Sequence, residues 1–170
     1  GGIPYSARYG GGVMLNGTSP TLRNMESTGN TVGDDAQLGG GGGVTFVNST
    51  AVLENVHIHG NTAIYGAGIF AFESAPTLIG CVIEDNLSIA TNLTYAPVGG
   101  GIHALDSDLT LIDCTVRGHL EQVNGGGIYL AGFNAVSSLD MTGGAISGNS
   151  AKDNGGGLYI NGGALTARRG

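Results

Sequence analysis

The stretch GGGVTFVNSTAVLENVHIHGN, residues 41–61, contains the pattern that decides the fold. It begins with a glycine triplet and an aliphatic residue, continues through three short segments of alternating apolar and polar residues, and ends in asparagine. The triplet motif, GGG or GAG followed by Val, Ile or Leu, recurs at starts near residues 10, 41, 66, 99, 125 and 155. Because the motif is constant while its spacing varies from 25 to 33 residues, the extra residues belong to turns.

Each repeat has the pattern of three short strands separated by turns rich in Gly, Asn, Asp and Ser. No window of a dozen residues keeps a helical apolar spacing without a glycine interrupting it, so helices are excluded. Coils of this length predict an all-β parallel solenoid of about six three-strand rungs, in which each strand pairs with its equivalent in the next coil. Residues 1–170 then form a single domain, with incomplete rungs at residues 1–9 and 156–170.

The composition limits the classes of partner. The 34 glycines lack the every-third spacing that collagen requires. A formal net charge of -7 has the wrong sign for binding a phosphate backbone, so no nucleic acid is expected. No apolar run approaches the roughly 18 residues of a membrane-spanning helix, so no membrane insertion is expected.

The strand after each triplet alternates between the inside and the outside of the coil. Its first and third positions are apolar in every repeat and are expected to face the core. The second position faces outward and carries rings in four successive coils, at Phe70, His103, Tyr129 and Tyr159. We expect an exposed aromatic column that stabilises the stacked coils or packs against a neighbouring molecule, with sugar binding as the alternative.

An asparagine follows an aliphatic residue by three positions in several repeats, as Asn61 follows Ile58. Stacked side-chain amides inside a turn can bond to one another and to the backbone. We therefore predict an asparagine ladder, in which His119 occupies the equivalent position of the fourth coil. Its members are Asn30, Asn61, Asn86 and Asn149.

Two apolar columns complete the predicted core. Cys81 and Cys114 share one inward column, one coil apart, and parallel neighbours place their Cβ atoms side by side, which is poor geometry for a disulfide. Free buried thiols are favoured, and a disulfide is the alternative. Upstream of the ladder lies a leucine column formed by Leu22, Leu53, Leu78, Leu111 and Leu139.

Motifs such as GAGI at residues 66–69, paired with an aliphatic-x-x-Asn motif such as residues 58–61, resemble the GGA(I/L) and FxxN repeats of chlamydial polymorphic outer membrane proteins. More broadly, the chain is similar to right-handed parallel β-helix proteins of the pectate-lyase-like group, over its whole length. The resemblance implies a right-handed coil and an extracellular passenger, adhesin or scaffold. It implies no particular ligand.

Residues suited to catalysis or metal binding are scattered. The column after the triplets offers no carboxylate pair of the kind that glycosidic cleavage needs, and no nucleophile motif or phosphate loop is present. Asp106 and Asp108 supply too few oxygens for calcium. His57 and His59 share the outer face of one strand without a third ligand at zinc-like spacing. We predict no catalytic residue, no metal, no cofactor and no enzymatic activity.

The predicted solenoid is uncapped, and open rungs expose unpaired backbone groups and apolar core. If residue 170 of one copy preceded residue 1 of another, the interval between triplets across the junction would be 25 residues, the shortest internal spacing. Head-to-tail stacking of copies and a window cut from a longer solenoid both account for this match. The expected assembly residues are Gly1, Gly2, Ile3, Tyr5, Leu165, Ala167, Arg168 and Arg169.

These patterns predict a structural subunit of an extracellular or cell-surface filament or layer, whose partner is another copy of itself. The alternative is a segment of a larger secreted adhesin that binds glycans, and a polysaccharide lyase or hydrolase is less favoured. Sequons at Asn16, Asn48 and Asn92 lie in predicted turns, where N-glycans would fit.

Overall fold

The computed structural model describes residues 8–33, 39–89, 98–120 and 122–170. Within these ranges the chain forms 23 short strands, all of them in parallel sheets stacked coil upon coil. The described residues include no helix long and apolar enough to cross a lipid bilayer.

Three large parallel sheets run along the solenoid. The first contains β2 (Val13–Asn16), β6 (Val44–Val47), β10 (Ile69–Phe72), β14 (Ile102–Leu105), β18 (Ile128–Ala131) and β22 (Leu158–Asn161). The second contains β3 (Thr21–Arg23), β7 (Val52–Glu54), β11 (Thr77–Ile79), β15 (Asp108–Ile112), β19 (Ser137–Thr142) and β23 (Gly163–Arg168). The third contains β4 (Glu26–Thr28), β8 (His57–His59), β12 (Val82–Glu84), β16 (Thr115–Arg117) and β20 (Ala145–Ser147).

Three two-stranded parallel pairs lie between the third and the first sheet. They are β1 (Arg8–Tyr9) with β5 (Gly39–Gly40), β9 (Thr62–Ala63) with β13 (Leu87–Ser88), and β17 (Gln122–Asn124) with β21 (Ala151–Asn154).

The predicted parallel solenoid is confirmed, with a slightly different number of coils. Strands β2 to β20 make five complete three-strand coils, and β22 and β23 add two strands of a sixth. The glycine triplets align, because the aliphatic residues after them pair in register from Val13 and Val44 through to Leu158. Period-two alternation puts these side chains inside, where Val44, Ile69 and most of their column are fully buried.

The leucine column is partly wrong. Leu22, Leu53, Leu78 and Leu111 do stack in register. Strand β19 is longer than its predecessors, so Met141 lies opposite Leu111, while Leu139 pairs with Leu109 on one side and Leu165 on the other. Both positions face inward, because residues two apart on a strand share a face. The apolar pattern therefore could not predict which of the two residues pairs with Leu111.

The corner after the first sheet uses single residues in the left-handed region. Asn48, Glu73 and Asp106 have φ of 48°, 47° and 49° in three successive coils. Asn and Asp adopt this conformation more readily than other side chains, since their short polar groups bond locally. Among the described non-glycine residues with positive φ, Glu73 alone is neither Asn nor Asp.

The third glycine of each triplet makes room for the asparagine position. A Cβ at Gly68 would lie 2.9 Å from the Asn86 side-chain nitrogen and 2.5 Å from the carbonyl oxygen of Gly101. Both approaches are too close for any side chain. The two sequence motifs of the repeat are therefore one structural unit, in which glycine is required because an amide from the same coil packs against its backbone.

Candidate functional site

The asparagines at residues 30, 61 and 86 form a continuous hydrogen-bonded stack. Asn30 Nδ2 donates to Asn61 Oδ1 at 2.9 Å, and Asn61 Nδ2 donates to Asn86 Oδ1 at 2.9 Å. Asn61 Nδ2 also donates to the carbonyl of Ser27 in the preceding coil, at 2.8 Å. Asn61 is fully buried, and its amide group bonds on both sides, so burial leaves no unpaired polar atom there.

His119 continues this stack with a different side chain. The backbone N–H of Asn86 donates to its Nδ1 at 3.2 Å, so the proton lies on Nε2, which donates to the carbonyl of Ile83 at 3.2 Å. The backbone N–H of His119 donates to Asn149 Oδ1 at 3.1 Å. The ring thus makes the same kinds of bond as an asparagine amide. Burial lowers the pKa of His119, so the ring is neutral.

A second polar ladder, of serines, escaped the sequence analysis. The backbone N–H of Ser49 donates to Ser74 Oγ at 3.1 Å, that of Ser74 to Ser107 Oγ at 3.1 Å, and that of Ser107 to Ser137 Oγ at 2.9 Å. All four serines are buried. The signal was present in the repeats, because three of these serines directly follow the left-handed corner residue.

The predicted exposed aromatic column is wrong for two of its four members. Phe70 is 4% exposed and His103 is 7% exposed. Residues just before two of the triplets lie over the outer face of the first sheet: Tyr9 stacks on Phe70 with ring centroids 5.4 Å apart, and Tyr65 meets the His103 ring edge-on at 5.6 Å. Burial, and then the neighbouring Tyr65, raise the pKa of Tyr9 to about 12.

The part of the aromatic column nearer the C-terminus is more exposed to solvent. Tyr129 and Tyr159 are half-buried, and their rings lie 5.4 Å apart. The rings of the column contact one another, as expected for a self-stabilising stack, since His103 lies 5.3 Å from Phe70 and 4.9 Å from Tyr129. The third and fourth coils, which carry Phe70 and His103, therefore leave little of this column for a sugar to contact.

His103 is the least satisfied side chain of the column. Neither of its ring nitrogens has a hydrogen-bond partner among the described residues. Burial lowers its pKa to about 3, because a charged ring in this apolar setting would lose its hydration without gaining a counter-ion. His103 is neutral at physiological pH.

Cys81 and Cys114 are free and buried, as the favoured alternative predicted. Each thiol donates to backbone carbonyls: Cys81 to Leu53 at 3.4 Å, and Cys114 to Leu78 at 3.3 Å. The hydrogen bond between the two thiols and then burial raise the pKa of Cys114. Cys114 is therefore a neutral thiol, and both side chains fill core volume.

A polar groove lies at the corner between the first and second sheets. It has a volume of about 610 Å³, and its walls include Glu73, Asp106, Asp108 and Asn134. Asp106 Oδ1 accepts three backbone N–H bonds from residues 133–135, at 2.6 to 3.1 Å. Burial works to raise the pKa of Asp106, but these donors outweigh it and hold the pKa below its ordinary value. Asp106 anchors a turn as a carboxylate and is a poor proton donor.

The predicted assembly residues fall into two groups. Gly1, Gly2, Ile3 and Tyr5 lie outside the described residues. Leu165, Ala167, Arg168 and Arg169 lie at the far end, where Leu165 is 47% exposed and Arg168 Nη1 is 3.9 Å from Asp140 Oδ2. Among the described strands, β20, β22 and β23 at this end and β2, β3 and β4 at the other are paired on one side only in the large sheets.

The sequons lie at different kinds of position. Asn16 and Asn48 are exposed at the end of the first-sheet strands, where a glycan has room. Asn92 lies outside the described residues.

The outer face of the third sheet carries a polar cluster. Register places Glu26 beside His57 and Thr28 beside His59. His59 Nε2 lies 2.5 Å from Glu26 Oε1, and His57 Nε2 lies 2.7 Å from Glu84 Oε1. Both histidines stand out in the sequence as possible ligands, whereas Glu26 does not. Aligning EST, residues 26–28, with HIH, residues 57–59, would have placed it there.

The adjacent coils also form ion pairs on the outside. Arg117 Nε lies 2.6 Å from Glu84 Oε2, and their residues pair in register. Hydrogen bonds from Arg117 and then His57 lower the pKa of Glu84. Arg23 pairs with Glu54 in the same way, one sheet away.

The stacked coils, the inward apolar columns and the internal amide ladder define a parallel β-helix. The family model for the right-handed β-helix region matches residues 5–164, and the chain belongs to that family. No curated protein and no solved structure matches the chain significantly. Membership fixes the fold class but not an activity, because right-handed β-helices occur both in enzymes such as pectate lyases and in proteins without catalytic activity. The narrower resemblance to the chlamydial repeats stays a prediction.

Proposed function

We propose that this chain is a non-catalytic structural module of an extracellular filament or surface layer, and that it associates end to end by strand pairing. The observation that carries the proposal is that, among the described strands, β2 to β4 at one end and β20, β22 and β23 at the other pair on one side only in the large sheets. An open parallel edge is a template for another strand.

The regular register supports this mode of association. The first-sheet strands pair without a shift from β2 to β22, so a further coil can be added in the same register. Leu165 is 47% exposed on the open strand β23, and an added coil would bury it. Such a contact is heterologous and does not close, so it grows a fibre.

The state of the acidic groups supports a non-catalytic role. Asp106 is held ionised by its turn, and Asp108 accepts a hydrogen bond from Ser138 Oγ at 2.5 Å. A glycosidase needs one carboxyl group kept protonated as a general acid near another carboxylate. Of the groove carboxylates, Asp106 instead holds a turn, and Asp108 bonds a residue of the neighbouring strand.

The test is the assembly state of the purified chain, followed by sedimentation velocity and negative-stain microscopy over a range of concentrations. We expect elongated particles that lengthen with concentration. Leu165→Lys places a charge on the open edge and should leave single rods. Thr77→Lys is the matched control, because Thr77 lies on the outer face of the same sheet in the third coil, and it should assemble normally.

Single short rods at every concentration of the unaltered chain would contradict the proposal. Fibres that form equally well with Leu165→Lys would contradict the proposed edge. Circular dichroism of each variant establishes that the strands remain folded.

Glycan binding is a second candidate, and a specific observation favours it. Phe133 is 74% exposed, next to Asn134 in the wall of the polar groove. A flat apolar ring beside carboxylate, amide and hydroxyl groups is the usual chemistry for holding a sugar. A glycan array compared between the unaltered chain and Phe133→Ala tests this. Binding that is unchanged in the variant, or absent altogether, removes the groove as a glycan site.

A further inference from the structure

The polar cluster on the third sheet brings together three side chains that ligate transition metals. Glu26 comes from the first coil, and His57 and His59 come from the second. One potential ligand atom from each residue lies within 4.8 Å of the other two. The two imidazole rings stack with centroids 4.2 Å apart, so both lie on one outward patch.

We propose that Glu26, His57 and His59 bind one divalent cation of the zinc class on the outer face of the solenoid. Two imidazoles and one carboxylate form a donor set that suits Zn²⁺ and neighbouring ions, whereas Ca²⁺ and Mg²⁺ require mostly oxygen ligands. Three protein ligands leave at least one position open to water or to a donor from another molecule.

Neighbouring groups already orient both rings. Glu84 Oε1 lies 2.7 Å from His57 Nε2, which leaves Nδ1 of that ring for the cation. The Thr28 hydroxyl lies 3.4 Å from His59 Nδ1, which leaves Nε2, the atom nearest Glu26, for the cation. Hydrogen bonds of this kind on the second ring nitrogen fix the tautomer and the ring orientation at protein metal sites.

The site joins two coils, and this gives binding a structural consequence. The ligands lie on β4 and β8, which are adjacent strands of one sheet. A cation that binds only the folded arrangement stabilises it by mass action. The bound ion therefore acts as a clip between the first and second coils.

The test is titration of the untagged chain with Zn²⁺ near neutral pH, by calorimetry and by NMR of the histidine ring protons. The sequence has four histidines, so the protein contains its own controls. We expect one ion per chain, shifts of the His57 and His59 resonances, and no shift of His103 or His119, which are buried elsewhere. Ca²⁺ and Mg²⁺ should produce neither heat nor shifts.

Variants sharpen the assignment. His59→Gln and Glu26→Gln should each weaken binding by about 100-fold or more, and Glu84→Gln by about tenfold, since it orients a ligand without contacting the ion. Glu54→Gln is the matched control, because Glu54 pairs with Arg23 on the neighbouring sheet, and it should bind as the unaltered chain does. The melting temperature of the unaltered chain should rise with Zn²⁺, and that of His59→Gln should not.

Three outcomes would overturn the proposal. They are the absence of Zn²⁺ binding by the unaltered chain, full affinity in His59→Gln, and equal response to Ca²⁺. Glu26 lies on β4, one of the strands at the proposed assembly edge, but the three side chains lie on the outer face of the sheet, so metal binding is measured separately from end-to-end assembly.

Discussion

His119 and His103 each occupy a place in a different column of the same solenoid, and the two rings differ in their hydrogen bonding. Both are buried and neutral. His119 lies in the asparagine ladder, where Nδ1 accepts from the Asn86 backbone and Nε2 donates to Ile83. His103 lies in the aromatic column between Phe70 and Tyr129, and neither of its nitrogens has a partner among the described residues.

This difference shows that the surroundings of a column decide whether a given side chain stabilises or destabilises the fold. Inside the ladder, every coil presents a backbone donor and a carbonyl acceptor at fixed places, so any side chain with matching polar atoms is accommodated. Over the outer face of the first sheet, the surrounding rings among the described residues offer no hydrogen-bond partner to the His103 nitrogens. The same imidazole is therefore stabilising in one column and costly in the other.

The largest effect is expected from breaking the ladder at its centre. Asn61→Leu removes two donors and an acceptor from a fully buried site, and it removes the hydrogen bonds that this side chain makes with the Asn30 backbone N–H and the Ser27 carbonyl. We expect the free energy of unfolding to fall by about 4 kcal/mol. Urea denaturation measures it. Asn154→Leu, which removes an exposed asparagine pair, is the control and should cost less than about 0.5 kcal/mol.

His119→Phe should destabilise the chain by about 3 kcal/mol. Phenylalanine fits the ring volume but leaves the Asn86 N–H and the Ile83 carbonyl unpaired in a buried site. The measurement is again the free energy of unfolding. A neutral effect would mean that the ring contributes packing alone and that its hydrogen bonds add nothing.

The identical substitution at the other histidine should have the opposite sign. His103→Phe replaces two unpartnered ring nitrogens with apolar edges and extends the ring stack that begins at Phe70. We expect stabilisation by about 2 kcal/mol near neutral pH. If His103→Phe destabilises the chain instead, His103 has a polar partner and the comparison between the two columns fails.

The free energy of unfolding should also depend on pH through His103. The pKa of His103 is lowered from 6.5 to about 3 by burial, so the unfolded chain binds a proton that the folded chain does not. Its contribution to stability is complete above the unfolded pKa and is lost as the pH falls towards the folded pKa. Between pH 7 and pH 5 this loss amounts to about 2 kcal/mol. His103→Phe should show a shallower decline over this range, while other groups titrate alike in both proteins.

The smallest effect concerns a third column, the left-handed corner after the first sheet. Glu73 is exposed and has φ of 47°, where its neighbours in the column are Asn48 and Asp106. Glu73→Asn should stabilise the chain by about 0.5 to 1 kcal/mol, because Asn adopts this conformation at lower cost. Thermal unfolding resolves a change of this size. Glu54→Asn, on a strand with extended backbone, should give no gain.

Much of the fold follows from residues at fixed spacing within one coil. The triplet, the aliphatic residue after it and the ladder asparagine each predicted their column. Where a strand is longer, as β19 is, the sequence did not predict which residue belongs to the leucine column. Leu139 and Met141 both face inward, and either fits the leucine position. The serine ladder was missed because serine is common in turns, and its burial depends on the coils above and below.

The candidate site was less predictable than the fold. The two histidines of β8 are visible in the sequence, but the third ligand is 31 residues from His57 along the chain and beside it in space. The exposure of the aromatic column was misjudged for a related reason. Tyr9 and Tyr65 belong to the variable segments before the triplets, whose path the repeat pattern does not specify.

The sequence by itself determined the local structure of each coil: which side chains face the core, which face outward, and where glycine must leave space for an amide. It did so because strand alternation and turn chemistry act over a few neighbouring residues. Only the tertiary structure decided what lies over the outer faces, covering Phe70 with Tyr9 and bringing Glu26 to His59. Those contacts join separate coils, and the turns of unequal length between them set which side chains meet.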